Sequence, residues 1–188
     1  MLTDTLEDFA VRRLRRADSF NRLPLLLSFV EKHCDDAALS WRLMLYWWDT
    51  CDGTGAWRPE AARALRALSA KSDARRHMEE VDGAFYDSLP DQISVYRGAA
   101  FNFARGLSWT TDLAVAEKFA AGIRGSGFLP RILATASIPK DAVFFASASR
   151  KESEVVLDPK RLRRLQTSPR KGNFEKAADL AAGAGRGG

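Results

Sequence analysis

Hydrophobic and polar positions follow two different periods in the two halves of the chain. In the first ninety residues, apolar side chains recur at spacings of three and four, the period of an amphipathic helix. In "LEDFAVRRLRRA" (6–17), for example, Leu6, Phe9, Ala10 and Leu14 share one face. We predict helices over 6–17, 23–33, 35–53 and 58–90, the last split into two helices near Ser72 or Asp73.

Residues at the ends of these segments predict where the helices begin and end. Thr3 or Asp4 is expected to cap the first helix. The second begins with Pro24 in its first turn, a position that suits proline. The third opens with acidic residues and closes at Gly53, which is a normal pair of helix ends.

Beyond Pro90, short runs with β-forming residues are separated by Gly, Pro and Ser, which indicates strands and turns. We predict strands in "ISVYRG", "GLSWTT", "RILATASIP", "AVFFAS" and "ESEVVLDP", with "LRRLQT" as a last strand. One helix interrupts them: "TDLAVAEKFAAG" (111–122) has Asp112 as its N-cap and Gly122 as its terminator. Helices followed by a run of strands predict the α+β class.

Three regions follow from this pattern: a helical region (1–89), a β-rich core (90–167) and a basic, Gly/Ala-rich flexible tail (168–188) with a short helix over "FEKAADLAA". The net charge of +5 belongs to the end of the chain. From Pro159 onward, eight Lys and Arg residues oppose two acidic residues, so the rest sums to about −1. The body is therefore a poor general nucleic-acid binder, whereas the tail can still contact nucleic acid.

Several classes of protein are disfavoured by the sequence. No apolar run reaches the roughly 18 residues of a membrane span, and the N-terminus lacks the apolar segment of a secretory signal. The two cysteines and two histidines stand outside metal-binding spacings, so we expect no metal. Reduced thiols are typical of intracellular proteins. We expect a cytoplasmic protein, in a bacterium or an infected host cell, without a membrane partner.

Two polar motifs in the β-rich half carry candidate chemistry. Arg97 ends a predicted strand and precedes Gly98, so a guanidinium and an accessible backbone N–H can meet one ligand. Ser108 and Thr110 are two residues apart, which places both hydroxyls on one face of a strand, where they can hold a carboxylate. Taken singly, each motif also fits an ordinary surface arginine or an ordinary strand.

A third motif is the pair Glu152 and Glu154, which the same period places on one face. Two carboxylates this close destabilise each other unless a cation lies between them. A solvated sheet edge is the ordinary explanation. Residues 155–157 argue against it, because this apolar run indicates a strand buried on both faces.

In this order, "VYRG" (95–98), "SWTTDLAVAEKFA" (108–120) and "ESEVV" (152–156) resemble the Arg–Ser–Glu class of mono-ADP-ribosyltransferases, which includes bacterial protein toxins and small prophage-encoded members. The resemblance covers roughly residues 90–165 and implies a mixed β-sheet core with one or two helices. It also implies NAD as co-substrate and no metal. The middle motif is Ser-Trp-Thr instead of the common Ser-Thr-Ser, which keeps the first and third hydroxyls.

The resemblance implies a role for each matched residue. Glu154 would stabilise the positive charge that develops on the ribose of NAD, and Ser108 would hold its carboxylate in one rotamer. Arg97 would bind the phosphate and ribose region, and the backbone of Gly98 the nicotinamide carboxamide. Thr110 would support the ribose pocket.

Further implied roles concern the acceptor and the walls of the site. In the family, a glutamate two residues before the catalytic one, here Glu152, is associated with arginine as the acceptor residue. The segment "FFASASRK" (144–151) occupies the place of the family's target-recognition loop. Phe119 either stacks on nicotinamide or packs in the core, and Arg124 is a candidate for the pyrophosphate.

We therefore expect an enzyme that transfers ADP-ribose to a protein target, on arginine. Three alternatives remain open. An NAD glycohydrolase needs the same pocket, and a transferase that modifies nucleic acid would use the basic tail. A catalytically degenerate fold would act only as a binding module. The intact set of Arg97, Ser108 and Glu154 argues against the degenerate fold. The helical first half would bind the target, hold an antidote or complete the cleft.

Overall fold

In the computed structural model, residues 5–122, 130–148 and 151–169 are described, and they form the predicted α+β fold. Five helices precede the sheet: α1 (Leu6–Arg16), α2 (Ser19–Lys32), α3 (Ala37–Trp47), α4 (Arg58–Lys71) and α5 (Glu80–Ser88). The strands are β1 (Gln92–Ala100), β2 (Ser108–Thr110), β3 (Arg131–Pro139), β4 (Val143–Ser147), β5 (Glu154–Leu157) and β6 (Arg163–Pro169). A sixth helix, α6 (Leu113–Ala120), lies between β2 and β3.

Two helix starts differ from the predictions. Thr5 caps α1 in a capping box with Asp8, so the predicted caps one and two residues earlier are wrong. Helix α2 begins at Ser19, because the Asp18 carboxylate accepts hydrogen bonds from the N–H groups of Phe20 and Asn21. Pro24 consequently lies inside the helix and not in its first turn.

Other boundaries agree with the sequence more closely. Helix α4 ends with Ser72 as its C-cap, one of the two predicted division points. Asp112 caps α6 as predicted, and Gly122 follows with a φ of +95°. Helix α3 is shorter than expected, because a 3-10 turn (Trp48–Thr50) replaces its last part before Gly53.

The six strands form one sheet in the order β4-β5-β2-β1-β3-β6. Every neighbouring pair of these described strands is antiparallel, so the expected mixed sheet is wrong. The physical reason lies in the strand order: β2 and β3 run in the same direction, but β1 lies between them and opposes both. The order also makes β5, β2 and β1 neighbours. Arg97 lies on β1, Ser108 and Thr110 lie on β2, and Glu154 begins β5.

Two hydrophobic clusters hold the sheet in place. The helices α1 to α4 pack with Phe145 and Val156 of the sheet in one cluster, so the helical half and the sheet share a core. Trp41 and Trp48 belong to this cluster and contact the Phe145 ring edge-on. The second cluster covers the other face and includes Trp109.

The end of the β-rich region lies two residues beyond its predicted limit of 167, because β6 continues to Pro169. The short helix predicted over "FEKAADLAA" (174–182) lies outside the described residues. Within the described part of the chain, no helix is both long enough and apolar enough to cross a membrane.

Candidate functional site

A cavity of about 780 Å³ opens between the helical half and the sheet. Seven of the eight predicted site residues line it: Arg97, Gly98, Ser108, Thr110, Phe119, Glu152 and Glu154. The eighth, Arg124, lies outside the described residues. The fold therefore brings together side chains that are separated by up to 57 positions in the sequence.

Glu154 is the first residue of β5, and its carboxylate is bonded from two sides. The Ser108 side chain lies on the neighbouring strand β2, on the same face as Glu154, and acts on the carboxylate as a hydrogen-bonding group that lowers its pKa. The indole Nε1 of Trp48, from the helical half, donates to its Oε1 at 3.3 Å. Burial raises the pKa of Glu154, and the charges of Glu152 and Asp49 act in the same direction. The two hydrogen bonds oppose this rise in pKa because they stabilise the ionised carboxylate.

Thr110 has its hydroxyl engaged with the main chain. Its Oγ1 donates to the carbonyl of Glu152 at 2.5 Å and accepts from the N–H of Asp112 at 3.0 Å. The residue is buried and pairs with Glu154 across the β2–β5 ladder. The hydroxyl therefore joins the start of α6 to the segment before β5.

Arg97 is held by main-chain carbonyls of the segment that follows its own strand. Its Nε donates to the carbonyl of Phe103 at 3.0 Å, and its Nη1 donates to the carbonyl of Ser108. Burial lowers the pKa of Arg97 to about 10, and the nearby charge of Glu154 opposes that change. The guanidinium is therefore protonated at neutral pH, and it is fixed on the cavity wall.

Gly98 is required for the packing of α6 against β1. A Cβ at this position would lie 2.1 Å from the backbone nitrogen of Ala120 and 2.2 Å from the carbonyl oxygen of Ala116. Both atoms belong to α6, which therefore crosses β1 at van der Waals distance. The sequence interpretation attributed this glycine to ligand approach, but the helix contact already demands it.

Glu152 lies in a turn and not in the strand. β5 begins at Glu154, and the residues on either side of Glu152 have positive φ angles, 55° at Lys151 and 46° at Ser153. The prediction that one strand places both glutamates on the same face is therefore wrong. The turn brings Glu152 to the cavity nevertheless. Residues 155–157 are fully buried, as the apolar run predicted.

Phe119 is a half-buried residue of α6 that contributes to the cavity wall. Its carbonyl accepts hydrogen bonds from the Nε and Nη2 of Arg131, which lines the same wall. Whether the ring stacks on nicotinamide or packs in the core stays a prediction. The predicted target-recognition segment is shorter than expected, because 144–147 belong to β4.

The helical half supplies the part of the cavity that sequence reasoning missed. Trp48 and the segment 51–57 form one wall. Three partly exposed rings also line the cavity, those of Phe20, Trp57 and Phe103. A buried indole whose N–H reaches a remote carboxylate, as Trp48 does, has no signature in the local sequence.

Among residues 5–122, 130–148 and 151–169, no cluster of three or more His, Cys, Asp or Glu side chains is placed to hold a metal ion. No protein family model, no curated protein and no solved structure matches the chain. The family resemblance of the three motifs therefore stays a prediction, and the function is argued from the site.

Proposed function

We propose that this protein is an NAD-dependent mono-ADP-ribosyltransferase that modifies a protein target on arginine. One observation carries the proposal: Arg97, Ser108 and Glu154 come from three neighbouring strands and line one cavity, where Ser108 lowers the pKa of the Glu154 carboxyl. A fixed cation, a hydroxyl and a half-buried carboxylate are the groups that cleavage of NAD requires in the family that the motifs resemble.

The cavity suits a dinucleotide in size and in lining. Its volume of about 780 Å³ lies within the range of small-molecule sites. The Arg97 guanidinium can form charge-assisted hydrogen bonds with phosphate oxygens. The rings of Phe20, Trp57 and Phe103 are exposed enough to stack on the planar ends of the ligand.

In the proposed reaction, the bond between the ribose C1′ and the nicotinamide nitrogen breaks, and its electron pair leaves with nicotinamide. The ribose becomes electron-deficient, as in glycoside hydrolysis. The Glu154 carboxylate stabilises the developing positive charge, and the hydrogen bond with Ser108 keeps it ionised and oriented.

The acceptor side of the reaction is assigned to Glu152. A guanidinium nitrogen of the target forms the new bond to C1′ and loses one proton, which the Glu152 carboxylate accepts. Glu152 lines the same cavity as Glu154, and the carboxylate also favours a cationic acceptor over a neutral one. With water as acceptor, the same cavity would act as an NAD glycohydrolase.

The proposal is tested by incubating the pure protein with NAD labelled in the adenylate part and a cell lysate. We expect the wild-type protein to consume NAD and to label protein, and Glu154→Gln to do neither. The matched control is Glu31→Gln, an exposed glutamate of α2 away from the cavity, which should behave as the wild type. If the wild-type protein consumes no NAD, the proposed enzymatic function is refuted, and the alternative of a binding module remains.

Two further outcomes separate the alternatives. NAD consumption without labelling of any macromolecule indicates a glycohydrolase. Labelling of RNA or DNA that disappears when residues 170–188 are removed, with NAD hydrolysis unchanged, indicates a nucleic-acid-modifying transferase. That truncation leaves β6 intact, since the strand ends at Pro169.

A further inference from the structure

The indole of Trp48 connects the helical half to the carboxylate at the centre of the site. Trp48 opens the 3-10 turn after α3 and is 3% exposed. Its Nε1 donates to Oε1 of Glu154 at 3.3 Å, across 106 positions of the sequence. The contact therefore depends on the correct packing of the helices against the sheet.

The indole is held in place by the shared core. Its ring packs edge-on against Phe145, with centroids 5.6 Å apart and planes at 89°. Phe145 lies on β4, which is paired with β5, so the supporting ring and the carboxylate belong to adjacent strands. An aromatic pair of this kind restricts the indole and directs its N–H toward the carboxylate.

We propose that Trp48 is a positioning residue for Glu154, and that the helical half is for this reason a part of the active site and not a separable module. The inference rests on the proposed function, in which Glu154 is the catalytic carboxylate. Ser108 bonds the carboxylate from within the sheet, whereas Trp48 bonds it from the helices. Together, the two contacts restrict its rotamer.

The charges around Glu154 make the indole N–H important for its ionisation. Glu152 and Asp49 are like charges that favour the protonated form, and Arg97 is the nearby opposite charge. Burial also favours the protonated form. Loss of the Trp48 donor therefore raises the pKa of Glu154 further. As the solution is acidified, the rate of the variant should begin to fall at a higher pH than the rate of the wild-type protein.

The test compares Trp48→Phe with Trp41→Phe. Trp41 is also fully buried and also packs edge-on against Phe145, at 6.3 Å, but its indole N–H donates to the carbonyl of Ser72. Both variants thus lose one buried indole hydrogen bond near the same ring. The two variants should therefore be destabilised to a similar extent. Only Trp48→Phe loses a bond to Glu154, so a difference in kcat between them reports on that bond.

We expect Trp48→Phe to lower kcat for NAD cleavage about tenfold, which corresponds to one hydrogen bond to a charged group. The KM for NAD should stay within about twofold, and the acid limb of the pH profile should move about one unit upward. Trp41→Phe should leave kcat and the acid limb unchanged. Benzothienylalanine at position 48, which keeps the ring shape without the N–H, provides a second variant if the phenylalanine variant does not fold.

The outcomes separate this inference from the proposed function. If the wild type is active and Glu154→Gln is inactive, but a folded Trp48 variant matches Trp41→Phe in kcat and pH profile, the positioning role is refuted and the function stands. If the wild-type protein consumes no NAD, the proposed function fails and the positioning role fails with it.

Discussion

The hydroxyl of Thr110 donates a hydrogen bond to the main-chain carbonyl of Glu152 and thereby ties the turn before β5 to the end of β2. Glu154, two residues later, is held through its own carboxylate by Ser108 and Trp48. The two glutamates are thus fixed by different means, one through the backbone and one through the side chain. This difference allows their roles to be separated by substitution.

Glu152→Gln should abolish transfer to arginine and leave NAD hydrolysis largely intact. The substitution removes the carboxylate that accepts the proton of the guanidinium in the proposed reaction, but the hydrogen bond from Thr110 goes to the backbone and is retained. Label transfer to protein and release of nicotinamide, measured in the same reaction, check the prediction. Equal loss of both activities would contradict the assigned division of roles.

The sequence predicted the elements of the β-rich half well because its signals are local. Apolar runs bounded by Gly, Pro and Ser located the strands, and Asp112 located the start of α6. The antiparallel arrangement of the sheet was not predictable in this way. It depends on the strand order, which places β1 between β2 and β3, and strand order is a property of the whole fold.

The candidate site was predicted in part for the same reason. The polar motifs are short, local patterns, and they identified the residues of the sheet that line the cavity. The relation between Glu152 and Glu154 was not predictable, because a left-handed residue at Ser153 interrupts the period of two. The contact between Trp48 and Glu154 joins the two halves of the chain, and no local pattern encodes it.

Ser108→Ala should lower kcat about tenfold and move the acid limb of the pH profile upward. The serine hydrogen bond lowers the pKa of Glu154 against the effect of burial, so its loss raises that pKa and leaves less carboxylate at a given pH. The pH dependence of nicotinamide release checks the direction. Ser94→Ala, at an exposed position of β1, is the matched control and should leave the profile unchanged.

Asp158→Asn should lower the free energy of unfolding by about 2 kcal/mol at pH 7, the contribution of hydrogen bonds to a charged group. The buried Asp158 carboxylate accepts bonds from Nε and Nη2 of Arg66 at 2.7 and 2.8 Å, which fixes α4 to the end of β5. These bonds hold the pKa of Asp158 below its usual value. The stabilisation is therefore present above that usual value and is lost as the pH falls through the lowered pKa.

Urea unfolding at pH 7 and at pH 3 measures this dependence. The difference between the wild type and Asp158→Asn should be smaller at pH 3, because this pH lies below the ordinary Asp pKa of 3.8, at which the unfolded chain binds the proton. Asp141→Asn is the control, because its ion pair with Arg161 has side chains 70% and 41% exposed. Such a surface pair contributes less than about 1 kcal/mol. A similar cost for both variants would contradict the assigned importance of the Arg66 pair.

Two glycine substitutions should separate stability from ligand binding. In Gly98→Ala, the new Cβ would meet the backbone of α6 at 2.1 Å, and a helix backbone does not yield easily. The free energy of unfolding should fall by about 3 kcal/mol. In Gly106→Ala, the Cβ would meet the Arg97 guanidinium at 2.3 Å, which is the end of a flexible side chain. Displacement of that side chain costs less stability, but it moves the cation on the cavity wall.

The free energy of unfolding of Gly106→Ala should therefore stay within about 1 kcal/mol of the wild-type value. The KM for NAD should nevertheless rise about tenfold, because the proposed charge-assisted bonds from Arg97 to NAD are lost. Chemical denaturation and the KM for NAD, measured on both glycine variants, check the contrast. Arg97→Lys should raise the KM for NAD to a similar extent, since a lysine cannot reproduce the geometry of the guanidinium. A Gly106→Ala variant with an unchanged KM would show that the position of Arg97 does not determine NAD binding.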